Sequence, residues 1–384
     1  MNDGGQATML YFGPWYRKSP FFDATRRWGC RAYDIYNHMY LPGYYDDPIV
    51  EYWHLLNHVT LWDVAVERVI EISGPDAFEF ANMLTPRDLT KCAVGQGKYA
   101  LITAPDGGII NDPVLLRRDE NCFWLCLADS DAGLWARGVA VNSGLDVRVD
   151  EPHAYPVQVQ GPESRAVMRE LFGDAVAGIK YYWTMDATVD GIPVVISRTG
   201  WTAELGYEVF LLDPSRGDDL WERIMEAGRP YDMRPIAPCE ARRIEAGIFN
   251  YNSDMTLENN PLEITGLERL VEDQEADYIG KGALRRIQEE GVRRKLVGIA
   301  VSSEPLGFEI AEHLPALHEG RPVGHVTDLI WSPRLERNIG YVWVPIDLAG
   351  PGTPLEVANP NGDRLPGETA MIPFIDPRKQ TPAA

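Results

Sequence analysis

The fold is decided by one stretch, Val66–Leu84, VERVIEISGPDAFEFANML, and by its echo at Val157–Leu171, VQVQGPESRAVMREL. In the first, apolar residues alternate as in a half-buried strand. Gly74 then turns the chain into a helix with Pro75 at its first position. Gly161-Pro162 repeats the layout. A strand–Gly-Pro–helix unit used twice predicts an internally duplicated α+β architecture.

Working outward, KYALITA (98–104), the turn PDGG, IINDPVLLRR (109–118), the turn DEN and CFWLCLA (122–128) read as three antiparallel strands. Asn111-Asp112-Pro113 interrupts the middle one. Proline cannot donate to a ladder, so an edge or bulge is expected there. A bulge would aim Asp112 at a site; a local turn would merely use it as a cap. After the second unit, Val194–Leu211, VVISRTGWTAELGYEVFL, reads as strand, tight excursion, strand. Glu208 lies inside the second of these strands, where a carboxylate must find donors or shift its pKa. Those donors come from the protein or from a ligand.

Residues 214–228 read as an amphipathic helix. PCEARRIEAGIFNYNSDM (238–255) gives another, with Arg242, Arg243 and Glu245 expected on a charged outer face and Gly247 at its end. The charged segment 279–295 reads as a terminal helix and connector, placing a boundary near 290. Residues 1–290 then form the α+β region, two subdomains, and 291–384 a small all-β domain with turn chemistry at regular spacing. PFIDPRKQTPAA, at 373–384, reads as a loose tail. Residues 15–62 are dense in Trp and Tyr, as in a packed core or a wall of ring faces around a cation. His54 and His58 are one helical turn apart, and with no completing ligand nearby they read as surface histidines with no metal.

The chain has 384 residues and a formal net charge of −21, with 45% hydrophobic residues. Those proportions suit a soluble globular protein, and the charge disfavours nucleic acid and anionic membranes as partners. No apolar run reaches a membrane span, and the N-terminus lacks the layout of a signal peptide. The five cysteines are odd in number and scattered, and the spacing of Cys122 and Cys126 on a strand face fits packing better than metal binding. The expected compartment is the cytoplasm. Phosphate loops, dinucleotide fingerprints, zinc spacings and nucleophile elbows are missing from the sequence.

Several of these stretches resemble the glycine cleavage T-protein (aminomethyltransferase) family. Residues 74–116 are similar to its segment from GPDA through the DGG hairpin. GWTAELGYEVF resembles its G-Y-T-G-E-x-G-[FY]-E signature, and RRIEAGIFNYNSD its R-L-E-A-G-x-x-x-Y-G-x-D. ENNPLEITGLERLV, DYIGKGAL and the C-terminal stretches RRKLVGIAV and RNIGYVWVP follow in the family's order. YNHMYLP, residues 51–77, MLTPRDL, NDPVLL and LADSD look most like the dimethylsulfoniopropionate (DMSP) demethylase branch. The resemblance implies duplicated folate-binding domains followed by a small β-barrel. Departures fall at Trp201 for Tyr, Ala203 for Gly, Asn111 for the first of two Asp, and Cys239 for an Arg.

The resemblance further implies tetrahydrofolate as cofactor and a small methylated compound as substrate. Glu208 matches the family's pterin anchor, Tyr99 a folate-site tyrosine and Asp112 the catalytic carboxylate at the reactive edge of the ring. Arg243 matches a helix arginine, either a folate contact or a partner of a nearby carboxylate. Tyr36, His38, Trp183, Trp201 and Phe249 are the expected donor-binding residues. The leading expectation is methyl transfer from a sulfonium such as DMSP to tetrahydrofolate. A folate-dependent O- or N-demethylase and a non-catalytic folate-binding protein are the alternatives. The oligomeric state stays open, a homodimer included.

Overall fold

The computed structural model describes residues 12–301, 304–306 and 312–384; most of the N-terminal stretch read for a leader lies outside the described residues. Two sheets form the first two-thirds. One runs in the order Arg148–Asp150, Val69–Ser73, Cys122–Cys126, Val114–Asp119, Gly97–Tyr99. The other runs Thr184–Val189, Ile192–Ser197, Gly206–Leu211, Tyr155–Gln160, Thr60–Asp63, Arg234–Pro235. The duplication is interleaved, because the second sheet takes Thr60–Asp63 from ahead of the first unit.

The two echoing glycines have the same cause. Gly74 has φ +127° and Gly161 φ +118°, a region that side chains rarely enter. A Cβ at Gly74 would sit 2.7 Å from the Asp146 carbonyl oxygen, and one at Gly161 2.3 Å from that of His58. The helices Ala77–Met83 and Ser164–Phe172 begin two residues beyond the prolines. Asp76 and Glu163, with ψ near zero, still belong to the turn, so each proline sits in the turn rather than at the first helical position.

The meander breaks where proline requires it. Ile109–Asn111 pairs with Ile102–Thr103 as a separate ribbon. After Asp112-Pro113, Val114–Asp119 continues in the first sheet beside Gly97–Tyr99. The excursion between Ser197 and Gly206 is held by one amide. Gln160 Nε2 donates to the carbonyls of Thr199 and Tyr207 at 3.3 and 3.4 Å, and its Oε1 accepts from Thr202 at 2.7 Å. Side chains at Gly200 or Gly206 would each meet that amide at 2.3 Å.

Six strands between Arg294 and Ala370 close into a barrel. The short helix Glu240–Glu245 joins it to the second sheet. Contrary to the expected charged face, Arg242, Arg243 and Glu245 are all buried. Arg243 donates to Glu240 at 2.6 Å, to Asp254 at 2.7 Å and to Asp328, on a barrel strand, at 2.5 Å. Glu245 accepts from Tyr52 at 2.7 Å and from the barrel residues Ser332 and Arg334 at 2.5 and 2.8 Å. The C-terminal stretch is not loose either. The Ile375 amide donates to the Glu245 carbonyl at 3.0 Å, and Arg198 donates to the carbonyls of Pro382 and Ala384 at 2.9 Å. Its composition reads as a loose tail, but the buried Arg198 and the Glu245 carbonyl supply the partners that fix it. No helix among the described residues is long and apolar enough to cross a membrane.

Removing one member of a buried ion network leaves the others uncompensated. Arg243→Ala is expected to lower the unfolding free energy by about 3–5 kcal/mol, read by urea denaturation. A loss within experimental error would mean that the network does not join the two regions.

Candidate functional site

A cavity of about 530 Å³ opens between the two sheets, roofed by the 247–251 and 265–269 loops and by the C-terminal stretch. Its residues divide into an acidic end, an aromatic middle and a basic rim.

The acidic end is built by strand register. Glu208 lies opposite Gln158 on one neighbouring strand and Ser197 on the other. It is 3% exposed. Gln158 Nε2 donates to its Oε1 at 2.8 Å, and the Thr199 hydroxyl donates to Oε2. The protein thus supplies part of the donor set that the sequence demanded. Glu67, in the turn after Thr60–Asp63, also lines the cavity, and its carboxyl meets that of Glu208 at hydrogen-bonding distance. Burial and the Glu208 charge push the Glu67 carboxyl well above the usual range. Burial also raises Glu208, opposed by its Thr199 and Gln158 donors.

Asp112 stands at the break in the middle strand, 9% exposed. The Tyr99 phenol donates to its Oδ2 at 2.8 Å, while Oδ1 is buried without a partner. Burial pushes its pKa up to about 7, with the Asp254 charge adding and the Tyr99 hydrogen bond opposing. A buried acceptor left open in a cavity wall is a place for a ligand donor.

Tyr36, Tyr181, Tyr182, Trp201, Phe249 and Tyr251 form the aromatic middle. Arg269, Arg378 and Lys379 form the rim. Glu208 and Asp112 are buried, whereas Arg269 and Arg378 are exposed and Lys379 is half-buried, so the cavity is polarised from a carboxyl floor to a cationic mouth.

Of the residues expected at a site, the structure brings Tyr36, Tyr99, Asp112, Trp201, Glu208 and Phe249 to this cavity. It places three others elsewhere. His38 has φ +63° in the turn of a two-stranded ribbon, its side chain 60% exposed, and pairs with Asp131 at 3.3 Å. Trp183 packs against the core of the second sheet under the Lys180 ammonium. The positive φ of Tyr182, +62°, turns the chain so that Tyr181 and Tyr182 face the cavity instead. Arg243 lies behind the wall, its guanidinium 5.6 Å from the Trp201 ring centroid and its donors occupied by carboxylates. Between the two roles left open for it, the geometry favours partner of carboxylates.

The surface reading of His54 also changes. It is buried and stacked on His58 at 4.7 Å, and Asp232 completes a trio whose ligand atoms lie within 4.8 Å of one another. His54 Nε2 is 2.7 Å from the Asp232 carbonyl oxygen, and the Asp232 carboxylate pairs with Arg234 at 2.9 Å. Those bonds account for the trio as a structural contact.

Sequence reasoning missed Glu67, Tyr181, Tyr182 and the three rim cations. Glu67 carried a signal, a carboxylate beside the strand-forming run VIEIS, whereas the rim cations depend on the path of a stretch with no periodicity.

Comparison with known proteins matches this architecture. The family model described as GCVT N-terminal domain covers residues 21–275, and the glycine cleavage T-protein C-terminal barrel domain covers 294–376. Dimethylsulfoniopropionate demethylase DmdA of Ruegeria pomeroyi is 35% identical over 348 residues, covering 91% of this chain and 94% of that protein. An aminomethyltransferase of Halothermothrix orenii is 30% identical over 364 residues, covering 94% and 100%. The crystal structure of aminomethyltransferase T of the glycine cleavage system from Bartonella henselae superposes with a TM-score of 0.83 at 21% identity, covering 94% of this chain and 98% of that one. The chain belongs to the glycine cleavage T-protein family, tetrahydrofolate-dependent enzymes that transfer one-carbon units.

Proposed function

We propose that the protein is a demethylase that moves a methyl group from a small sulfonium, of which dimethylsulfoniopropionate is the leading candidate, to tetrahydrofolate. The observation that carries the reading is the polarity of the cavity. Tetrahydrofolate presents the N–H donors of its pterin at one end and glutamyl carboxylates at the other. Carboxyl groups at the floor and Arg269, Arg378 and Lys379 at the mouth fit that distribution. The open Oδ1 of Asp112 fits a donor between them. Likeness to the DMSP demethylase named above supports the choice of donor.

Tetrahydrofolate, when bound, supplies a nucleophilic ring nitrogen that takes the methyl group. Glu208, with its neighbour Glu67, would hold the pterin edge. Ionised Asp112 would stabilise the positive charge that develops as the sulfonium methyl moves, and would take up the proton displaced. Tyr99 fixes its orientation. Trp201, Phe249 and Tyr36 would hold the onium charge by their ring faces, each contact worth about 0.5–2 kcal/mol. The carboxylates around Arg243 outnumber that single cation and keep the back of the Trp201 wall electronegative.

A sulfonium leaves as a neutral thioether and needs no acid. An aryl methyl ether leaves as a phenolate and does. His38, the residue best suited to that task, points to solvent beside Asp131. The buried phenol of Tyr36, raised well above the ordinary range by burial and by Asp112, is a weak substitute. These positions favour the onium donor over a methoxyaromatic.

Incubation with tetrahydrofolate and a panel of methyl donors should yield 5-methyltetrahydrofolate, detected by mass, with a sulfonium and not with methoxyaromatics. Turnover confined to methoxyaromatics would reverse the assignment. Glu208→Gln should weaken folate binding at least about tenfold by titration calorimetry; unchanged affinity would remove the anchor role.

The Asp112 carboxyl acts as an anion, so kcat/KM for the donor should rise with pH to a plateau, with a midpoint about 7. In Asp112→Asn that limb should vanish and the rate fall about a hundredfold. Because the folded pKa is raised above the unfolded one, ionisation of Asp112 opposes folding as pH climbs towards 7. Asp112→Asn should accordingly gain thermal stability relative to wild type between pH 5 and pH 8. Equal pH slopes in the two proteins would contradict the raised carboxyl.

A further inference from the structure

Two carboxyl groups touching at the floor of one cavity set an electrostatic problem of their own. Glu67 and Glu208 meet at hydrogen-bonding distance, and Gln158 Nε2 faces both, 2.8 Å from Glu208 Oε1 and 3.4 Å from Glu67 Oε1. Among the described residues no cation pairs with either, and their remaining polar contact is the Thr199 hydroxyl on Glu208. Two anions in contact inside a low-dielectric wall cannot both persist.

We propose that Glu67 is a specificity-determining residue of the pterin site: it shares a single proton with Glu208, and the pair binds as an acid–carboxylate unit. The inference rests on the pterin reading given above. A lone carboxylate only accepts, so it matches the donor groups of an aminopyrimidinone and leaves the ring's acceptors unserved. The acid–carboxylate pair offers both. Glu208 accepts N–H donors, and the shared proton either bridges the pair or is donated to an adjacent ring nitrogen or carbonyl oxygen. The net charge of the floor stays at one negative unit, which limits the desolvation penalty of covering it with a flat neutral ring.

The groups packed around the pair leave the neutral range to it. Cys126, on the adjacent strand of the first sheet, is raised well above its ordinary value by burial and by both glutamates. Tyr182 is pushed up to about 12 by burial and the Glu208 charge. Tyr36 and Tyr181 are raised by burial. Arg118, Arg198 and Arg269 act on these neighbours only from a distance. Asp112, in the same cavity, also titrates near neutrality, and Asp112→Asn isolates the pair from it; Asp63 and Asp328, raised to about 6 by burial, lie outside the cavity lining.

The test is the binding of 5-methyltetrahydrofolate, by calorimetry or fluorescence quenching, from pH 6 to pH 9.5 in the Asp112→Asn background. The parent should bind well at pH 6 and lose affinity at least about tenfold as the shared proton leaves and the two anions repel. Glu67→Gln, whose amide donates to Glu208 without titrating, should bind within about threefold of the parent at pH 6 and lose the alkaline fall. Glu67→Ala should bind at least about tenfold more weakly at all pH values. Infrared difference spectra of the ligand-free protein should show a protonated-carboxyl C=O stretch at pH 7 that Glu67→Gln abolishes. An alkaline fall that persists in Glu67→Gln, or parent-like binding by Glu67→Ala, would overturn the proposal. If the wild-type protein itself fails to bind the folate at pH 6, the pterin reading fails first. If it binds and Glu208→Gln weakens it while Glu67 variants change nothing, only the shared proton is wrong.

Discussion

The structure depends on Arg243, fully buried on a helix of six residues and donating to Glu240, Asp254 and Asp328. A guanidinium cannot be neutralised by deprotonation, so a chain that buries it must surround it with acceptors fixed in advance. Here the acceptors come from the helix itself, from the loop that follows it and from a barrel strand. Meeting the demand of one side chain therefore fixes three parts of the molecule relative to one another. Arg242 repeats the arrangement one position earlier, donating to Glu204 at 2.7 Å and to the Ala203 carbonyl at 3.2 Å. The pair ties the barrel to the excursion that carries Trp201.

That tie explains why the cavity lies where it does. The sheets diverge at Asp112-Pro113 and at the Thr199–Gly206 excursion, both places where ladder pairing stops. The loops after the arginine helix and the C-terminal stretch cover the gap, the latter held through the Glu245 carbonyl and Arg198. The carboxyl side chains of the floor are left with few protein partners because sheet ladders satisfy backbone groups only, and these side chains point into the gap between the sheets. Raised carboxyl pKa values are the energetic trace of that incompleteness, and stability is lost there in return for a surface able to bind a ligand.

Much of this was legible in the sequence where a rule has a local cause. Gly74 and Gly161 announced the repeated unit because neither position tolerates a Cβ. Pro113 announced the break beside Asp112, and Glu208 announced a carboxylate in need of donors. The sequence misled where a residue's surroundings come from distant chain. Arg242, Arg243 and Glu245 have the spacing of a solvated helix face, and only the barrel packed over them makes that face interior. Trp183 and Tyr182 are neighbours in one aromatic run. A left-handed backbone at Tyr182, a conformation that composition does not signal in a bulky residue, decides which of them enters the cavity. Glu67 resembles any strand-flanking glutamate until Glu208 is placed against it.

Two of the four departures from the family pattern, Trp201 and Ala203, fall within the same excursion, and the geometry gives them a common sense. Ala203 occupies φ +52°, a conformation glycine adopts freely and alanine only at a cost of roughly 1–2 kcal/mol. Its carbonyl is held by Arg242, so the ion network carries that strain. Trp201, two residues earlier, presents one ring face towards Arg243 and borders the cavity with the rest. A larger indole in place of tyrosine widens the apolar, electron-rich wall facing the donor, and a phenolic hydroxyl is lost with the exchange. An aminomethyl donor carries N–H groups that a hydroxyl can engage, whereas a sulfonium has no hydrogen to share and is held by ring faces alone. On the proposed reading, the excursion that the buried arginines hold in a strained shape is also the part of the wall that would select the methyl donor.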